Sequence, residues 1–196
     1  MAQKIRIIAG ALGGRLLEVP EAGTRPFADR VRQALFAILE PRLPDARVLD
    51  LCAGSGAAGL EALSRGAQHV QFVEISRRAT DVIRRNVVSL GLAGQTEIQT
   101  SDALASLRAI VARGATFDLI VADPPYDEVP LRSVMLELIA DHPSPLATGG
   151  LLVLSGRRVK GETTQVAPRG LRLVRGLTYG ETAIDLYEHE GAEELR

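Results

Sequence analysis

The chain has one cysteine, Cys52, so no internal disulfide can form, and the sequence fits a reducing cytoplasmic compartment. It has no long apolar run. The opening MAQKIRIIAG is too short in that respect for a signal peptide, and no later stretch could span a membrane. No internal repeat or low-complexity tract interrupts the 196 residues, and no set of residues reads as a metal site. Global basicity is also missing. The formal net charge is −1, without the excess expected of a protein that holds nucleic acid by charge alone.

What is present is ordinary globular material, with 46% hydrophobic and 24% charged residues. The length favours one domain, able to bury roughly 70% of its unfolded surface. Charge is unevenly placed. Lys4, Arg6, Arg15, Arg25, Arg30 and Arg32 face only Glu18, Glu21 and Asp29 in the first segment, while the tail EHEGAEELR is mostly acidic. Such an N-terminus either meets phosphates or is a solvated face with counterions.

Two short apolar runs, IRIIAG and RLLEVP, flank ALGG and predict a hairpin. ADRVRQALFAILE has helical spacing, with Val31, Leu35, Ile38 and Leu39 on one face, and Pro41 and Pro44 end it. From Arg47 the pattern alternates. RVLDL, HVQFVE, TEIQT, FDLIVA and GGLLVLS read as strands, separated by helices over AAGLEALSRG, SRRATDVIRRNVVSLG, ALASLRAIVARG and LRSVMLELIADH. Ser76 can cap the second of these helices, and Gly66 and Gly91 can close the first and second. LRLVRGLTYGETAIDLYEHE gives two strands with no helix between them, an antiparallel pair closing a mainly parallel sheet. The expected fold class is α/β: a Rossmann-like, mainly parallel seven-stranded sheet with an antiparallel C-terminal pair, helices on both faces and a small N-terminal hairpin. Residues 1–26 form the extension and residues 27–196 the catalytic domain. Ligands of such sheets sit beyond the carboxyl ends of the strands, in the loops after Asp50, Glu74, Asp102 and Asp123.

LDLCAGSGAAGLEAL contains a full G-x-G-x-x-G in Gly54, Gly56 and Gly59. Alone, that pattern points to a dinucleotide. Asp50, at the end of the preceding strand, argues otherwise, because a carboxylate there would face the pyrophosphate. It suits S-adenosylmethionine, which carries an ammonium and a sulfonium and no phosphate; the alternative is a strand-end acid bonded to loop amides. Gly54 and Gly56 let backbone approach a ligand, whereas Gly59 serves helix–sheet packing. Glu74 can accept ribose hydroxyls. Asp102 can accept from an adenine amine, with Ala103 N–H nearby, or can cap the helix that follows. DPPY, Asp123 to Tyr126, directly follows the apolar strand FDLIVA. Two prolines remove two donors and hold the chain extended, leaving carbonyls, a carboxylate and an aromatic ring for a planar substrate with an exocyclic amine. Tyr126 can stack on the base, while Asp123 and the Pro124 carbonyl accept the amino hydrogens. Such placement can supply several kcal/mol of barrier reduction, roughly 7–11 at its limit.

RIIAGALGGRLLEVP, GTRPFADRVRQALFAIL, VLDLCAGSGAAGLEALSRGA, VEIS, DPPY and YGETAIDLY resemble segments of the class I S-adenosylmethionine-dependent methyltransferases. More closely, they resemble the bacterial 16S rRNA guanine-N2 methyltransferases of the RsmD type. The resemblance covers nearly the whole chain. It implies methyl transfer to N2 of one guanine in 16S rRNA of a partly assembled small subunit, by a cytoplasmic monomer without membrane contact, leaving S-adenosylhomocysteine. It implies cofactor contacts from Asp50, Ala53, Gly54, Ser55, Gly56, Glu74, Ile75, Asp102 and Ala103, and catalytic roles for Asp123, Pro124, Pro125 and Tyr126. Substrate contacts fall to Arg6, Arg15, Arg25, Arg30 and Arg32. The chain departs from the family at Phe27, where threonine is expected, at Cys52, a small apolar filler, and at LSGRRVKG, where relatives often carry glutamate or histidine. There Arg157, Arg158 and Lys160 either add phosphate contacts or form a solvated loop. The competing readings are amino methylation of DNA adenine or cytosine or of a protein glutamine, a nicotinamide-binding oxidoreductase, and a cofactor-free RNA-binding module. Relatives that modify DNA bases or glutamine usually carry Asn where this chain has Asp123. The oxidoreductase would need a pyrophosphate beside Asp50, and the RNA-binding module leaves the strand-end acids unexplained.

Overall fold

The computed structural model describes residues 4–20, 29–125, 129–142, 145–158 and 167–190. The main sheet has seven strands and is mostly parallel, and a separate two-stranded hairpin precedes it. The chain divides into two compact units, Met1–Ala103 and Leu104–Arg196.

In the first unit the hairpin pairs β1 (Lys4–Arg6) with β2 (Leu16–Glu18), placing Ile5 opposite Leu17. Helix α1 (Asp29–Leu39) buries Val31, Leu35, Phe36 and Leu39 and passes into a short 3₁₀ turn over Glu40–Arg42, where Pro41 takes a first-turn position. Strand β3 (Arg47–Leu51), helix α2 (Ala57–Ser64), strand β4 (His69–Glu74), helix α3 (Arg77–Leu90) and strand β5 (Thr96–Thr100) follow. The strands run parallel in the order β5–β4–β3. The Ser76 hydroxyl caps α3 by accepting from Ala79 N–H at 3.3 Å, and Gly91 ends it in the left-handed conformation at φ +72°.

Helix α4 (Ala103–Ala112) leads into the second unit. There strand β6 (Phe117–Ala122), helix α5 (Val129–Ala140) and strands β7 (Leu146–Arg157), β8 (Leu171–Tyr179) and β9 (Thr182–His189) give the order β6–β7–β9–β8. β6 and β7 are parallel, while β9 is antiparallel to both its neighbours. Several element ends shift by a residue or two from the sequence expectation, and two starts shift for a physical reason. Helix α5 starts two residues before Leu131, because Pro130 is tolerated in a first helical turn. Strand β7 starts before Gly149–Gly150 rather than at them. Gly149 has φ +72°, and a Cβ on Gly150 would lie 2.7 Å from Ala147 O, so the pair forms an irregularity within the strand. Among the described residues no helix is long and apolar enough to cross a membrane.

Candidate active site

The apolar run of β3 buries Leu49 and Leu51 completely and carries Asp50, its penultimate residue, at 3% exposure. One Asp50 oxygen accepts the Gly59 N–H at 2.9 Å. That amide lies in the first turn of α2, where helical N–H groups lack intrahelical partners, so Asp50 satisfies the helix start from within the chain. Gly54 (φ +56°) and Gly56 (φ +77°) take left-handed conformations in the turn. At Gly56 the conformation is the requirement, since it sets the entry into α2. Gly59 packs as expected: a Cβ there would lie 2.3 Å from the Phe72 ring and 2.7 Å from Val70. Cys52 also has positive φ, at +59°, so it is a backbone-strained position as well as a half-buried side chain.

Glu74 ends β4 with both carboxylate oxygens engaged. One accepts Gly54 N–H and the other Ser76 N–H, each at 2.8 Å. The carboxylate therefore links the glycine turn to the start of α3, while the next side chain, Ile75, stands 69% exposed. Ser55 is buried, and its carbonyl accepts from the Asn86 amide at 3.2 Å. Ala53 is half-buried, with its N–H donated to Val73 O at 3.1 Å. Asp102 is exposed immediately before α4, and Ala103 opens that helix, 6% exposed.

The donor set fits a cationic amino-acid ligand better than a phosphate. Residues 50–59 contain no lysine or arginine, two carboxylates end successive strands, and Asp50 already takes one amide of the α2 start. Among the described residues no group of three or more His, Cys, Asp and Glu could hold a metal ion.

In the second unit Asp123 follows the buried end of β6 and is itself half-buried. Burial pushes its carboxyl up to about 6, and the hydrogen bond donated by the Ser155 hydroxyl from β7 partly offsets this. Ser155 is fully buried. Sequence reasoning passed over it because a serine inside an apolar strand carries no local signal of a partner 32 residues away. Pro124 is buried and Pro125 exposed. Tyr126 lies outside the described residues. Helix α5 sends Arg132 to Asp185 of β9 in an ion pair. Tyr187 lies beside this pair, and burial together with the Asp185 charge pushes its phenol up to about 12.

The predicted basic residues separate into different environments. Arg6, Arg15 and Arg30 are exposed. Arg6 lines a cleft of about 260 Å³ with Ile7, Ile8, Gly14, Asp29 and Gln33. Arg32 is 1% exposed and points inward, donating to the Arg6 carbonyl and to Asp29 at 3.0 Å, with its Nε 3.9 Å from Glu61. Arg25 and Phe27 lie outside the described residues, as does Lys160, whereas Arg157 and Arg158 are exposed.

The hairpin is seated on two buried polar residues. Glu61 of α2, 0% exposed, accepts Ile8 N–H at 2.7 Å, Ala9 N–H at 3.1 Å and Arg65 Nε at 2.8 Å. Asn86 of α3, 2% exposed, accepts Glu18 N–H at 2.8 Å and donates to Glu18 O at 3.0 Å.

The family described as conserved hypothetical protein 95 matches residues 5–188. Ribosomal RNA small subunit methyltransferase D of Escherichia coli K12 is 35% identical over 192 residues, covering 97% of this chain and 93% of the relative. The protein of the same name from Haemophilus influenzae is 30% identical over 188 residues, covering 95% of this chain and 94% of the relative. The solved structure of yhhF from Escherichia coli superposes with a TM-score of 0.83 at 35% identity, covering 96% of this chain and 99% of that one.

Proposed function

Because the chain belongs to the family of ribosomal RNA small subunit methyltransferase D, we propose that it methylates the exocyclic N2 of a specific guanine in 16S rRNA, using S-adenosyl-L-methionine. The observation that carries the reading is Asp123: a half-buried carboxylate set at the end of an apolar strand by Ser155 and followed at once by two prolines.

When bound, the cofactor supplies a sulfonium methyl group and leaves as S-adenosyl-L-homocysteine. Asp50, Ala53, Gly54, Ser55 and Gly56 shape its amino-acid end, Glu74 its ribose, and Ile75, Asp102 and Ala103 its adenine. The 69% exposure of Ile75 supports this assignment, because an apolar side chain next to a buried carboxylate gains by covering an aromatic base. The Asp123 carboxylate and the Pro124 carbonyl accept the two amino hydrogens of the guanine. Accepting them localises the nitrogen lone pair and holds it in a defined direction, so a bimolecular displacement proceeds from a prepared geometry. Asp123 then takes up the proton as positive charge develops on nitrogen. Pro125 keeps the segment extended, and Tyr126 stacks on the base.

The extension over residues 1–26 contacts the substrate through Arg6, Arg15 and Arg25, with Arg30 beside it. Arg32 acts beneath them by holding the Arg6 backbone. The enzyme acts as a cytoplasmic monomer on a partly assembled small subunit; the net charge of −1 fits that substrate, because bound ribosomal proteins then share the recognition.

The test is methylation of small subunits from a strain lacking the enzyme, followed by mass mapping of the modified nucleoside. A single N2-methylguanosine in 16S rRNA is expected. A methyl group found on another base position or on a protein glutamine overturns the substrate assignment. Tight NAD binding in calorimetry without adenosylmethionine binding overturns the cofactor.

A further inference from the structure

We propose that Ser155 and the Arg132–Asp185 pair are positioning residues that hold Asp123 and helix α5 from the two faces of β7. The proposal rests on the reading of Asp123 as the carboxylate that accepts the amine hydrogens. Three observations within the second unit carry it. The Ser155 hydroxyl donates to Asp123 at the end of β6. Arg132 of α5 donates to Asp185. Both anchors fall at consecutive rungs of one ladder, Ser155 opposite Ile184 and Leu154 opposite Asp185.

Side chains alternate along a strand, so Ser155 and its neighbour Gly156 point to opposite faces of β7. Gly156 has no side chain to point, and this matters for Arg132. A Cβ on Gly156 would lie 2.9 Å from Arg132 Cδ and 3.0 Å from its Nε, so the arginine stem crosses the strand in the space that glycine leaves. The dipeptide Ser155–Gly156 thus supplies a hydrogen-bond donor on one face and a passage on the other. Asp185 and Tyr187 are buried around the guanidinium, with Asp185 8% and Tyr187 0% exposed. A charge pair in such surroundings holds one geometry, because separating it strands a buried charge. Asp123 and the start of α5 are therefore each tied to a rigid strand pair. This is the arrangement needed to hold a reacting nitrogen, where a misplacement of about 1 Å can cost about a hundredfold in rate.

Three variants test this in the full chain: Ser155→Ala, Asp185→Asn and Gly156→Ala. Single-turnover methylation of small subunits, KM for the subunit, calorimetric adenosylmethionine affinity and thermal unfolding are measured on each. Each variant is expected to lose about tenfold to a hundredfold in single-turnover rate, with KM and cofactor affinity within about twofold. Ser155→Ala also moves the acid limb of the pH–rate profile upward, which a merely structural loss would not do. Asp185→Asn keeps the side-chain volume and Gly156→Ala keeps both charges, so one remains informative if the other fails to fold. If Asp123→Asn is inactive while folded Ser155→Ala, Asp185→Asn and Gly156→Ala run at the parental rate, the positioning role is wrong and the reading of Asp123 stands. If Asp123→Asn itself runs at the parental rate, that reading fails first. A rate loss in the three variants matched by an equal rise in KM also overturns the proposal.

Discussion

In residues 1–103 the buried carboxylates of Asp50, Glu61 and Glu74 accept backbone N–H groups, from Gly59, from Ile8 and Ala9, and from Gly54 and Ser76. In residues 104–196 Asp123 and Asp185 accept from side chains, Ser155 and Arg132. A carboxylate gripped by amides fixes the path of the chain around it: removing the acid leaves several donors without partners at once. A carboxylate gripped by one side chain leaves the backbone alone and can have its ionisation adjusted by that partner. The first unit uses acids to build shape, and the second uses them to hold and tune charge.

The sharpest way to break this comparison is Glu61→Ala. It takes a buried carboxylate partner from Arg65 and Arg32 and leaves two hairpin amides without their acceptor, and should cost about 3–5 kcal/mol, read from denaturant unfolding. A loss below about 1 kcal/mol would mean that the amides find other partners and that the acid does not build the hairpin seat.

The next effect lies with Asp123. With its carboxyl at about 6, ionisation is about nine-tenths complete at pH 7, and single-turnover methylation should fall about tenfold per pH unit well below 6. The stability effect has the opposite sense. The folded pKa lies above the ordinary 3.8, so the folded state binds more protons than the unfolded state between those values. Stability from this group is full below about 3.8 and is lost as pH rises through 6. Asp123→Asn removes that slope, and urea midpoints compared across pH 4–7 check it. A slope that survives the substitution would assign the pH response to another group.

Gly59→Ala places a methyl group against Phe72 and Val70 and should destabilise by about 1–3 kcal/mol through overpacking, measured as a lowered melting temperature. The smallest effect is Cys52→Gly. Relief of a left-handed conformation worth about 1–2 kcal/mol is offset by the entropy glycine adds to the unfolded chain, leaving a gain under about 1 kcal/mol. Urea unfolding checks the sign.

The legible parts of the molecule are those whose cause is local. The strand ends beside Asp50 and at Glu74, the Ser76 cap and the Gly91 stop follow from residues within a few positions of the feature, and Gly59 packs on Val70 and Phe72 of the very next strand. Glu61, Arg32 and Ser155 were not legible, for one physical reason. Each is a polar residue whose burial depends on partners 26 to 53 residues away, so its own neighbourhood reads as surface for Arg32 and as an unremarked helix or strand position for the other two. Clustering of positive charge suggested that Arg32 faces a substrate. Arg32 is instead the inward member of the group, turned toward Asp29, Glu61 and the Arg6 carbonyl. The Gly149–Gly150 pair misled in the other direction, because a local turn signal was absorbed into a longer strand.

The double hydrogen bond between Asn86 and the Glu18 backbone spans 68 residues, and the Glu61 contacts to Ile8 and Ala9 span 53 and 52. In synthesis from the N-terminus, the hairpin emerges before both parts of its seat, Glu61 of α2 and Asn86 of α3. At about 5–20 residues per second, the gap between Glu18 and Asn86 corresponds to roughly 3–14 s in which β2 lacks its Asn86 contacts. The same Asn86 also holds the Ser55 carbonyl of the glycine turn. The turn and the hairpin therefore share one later-made residue, so the contacts of both are completed only once α3 has been made.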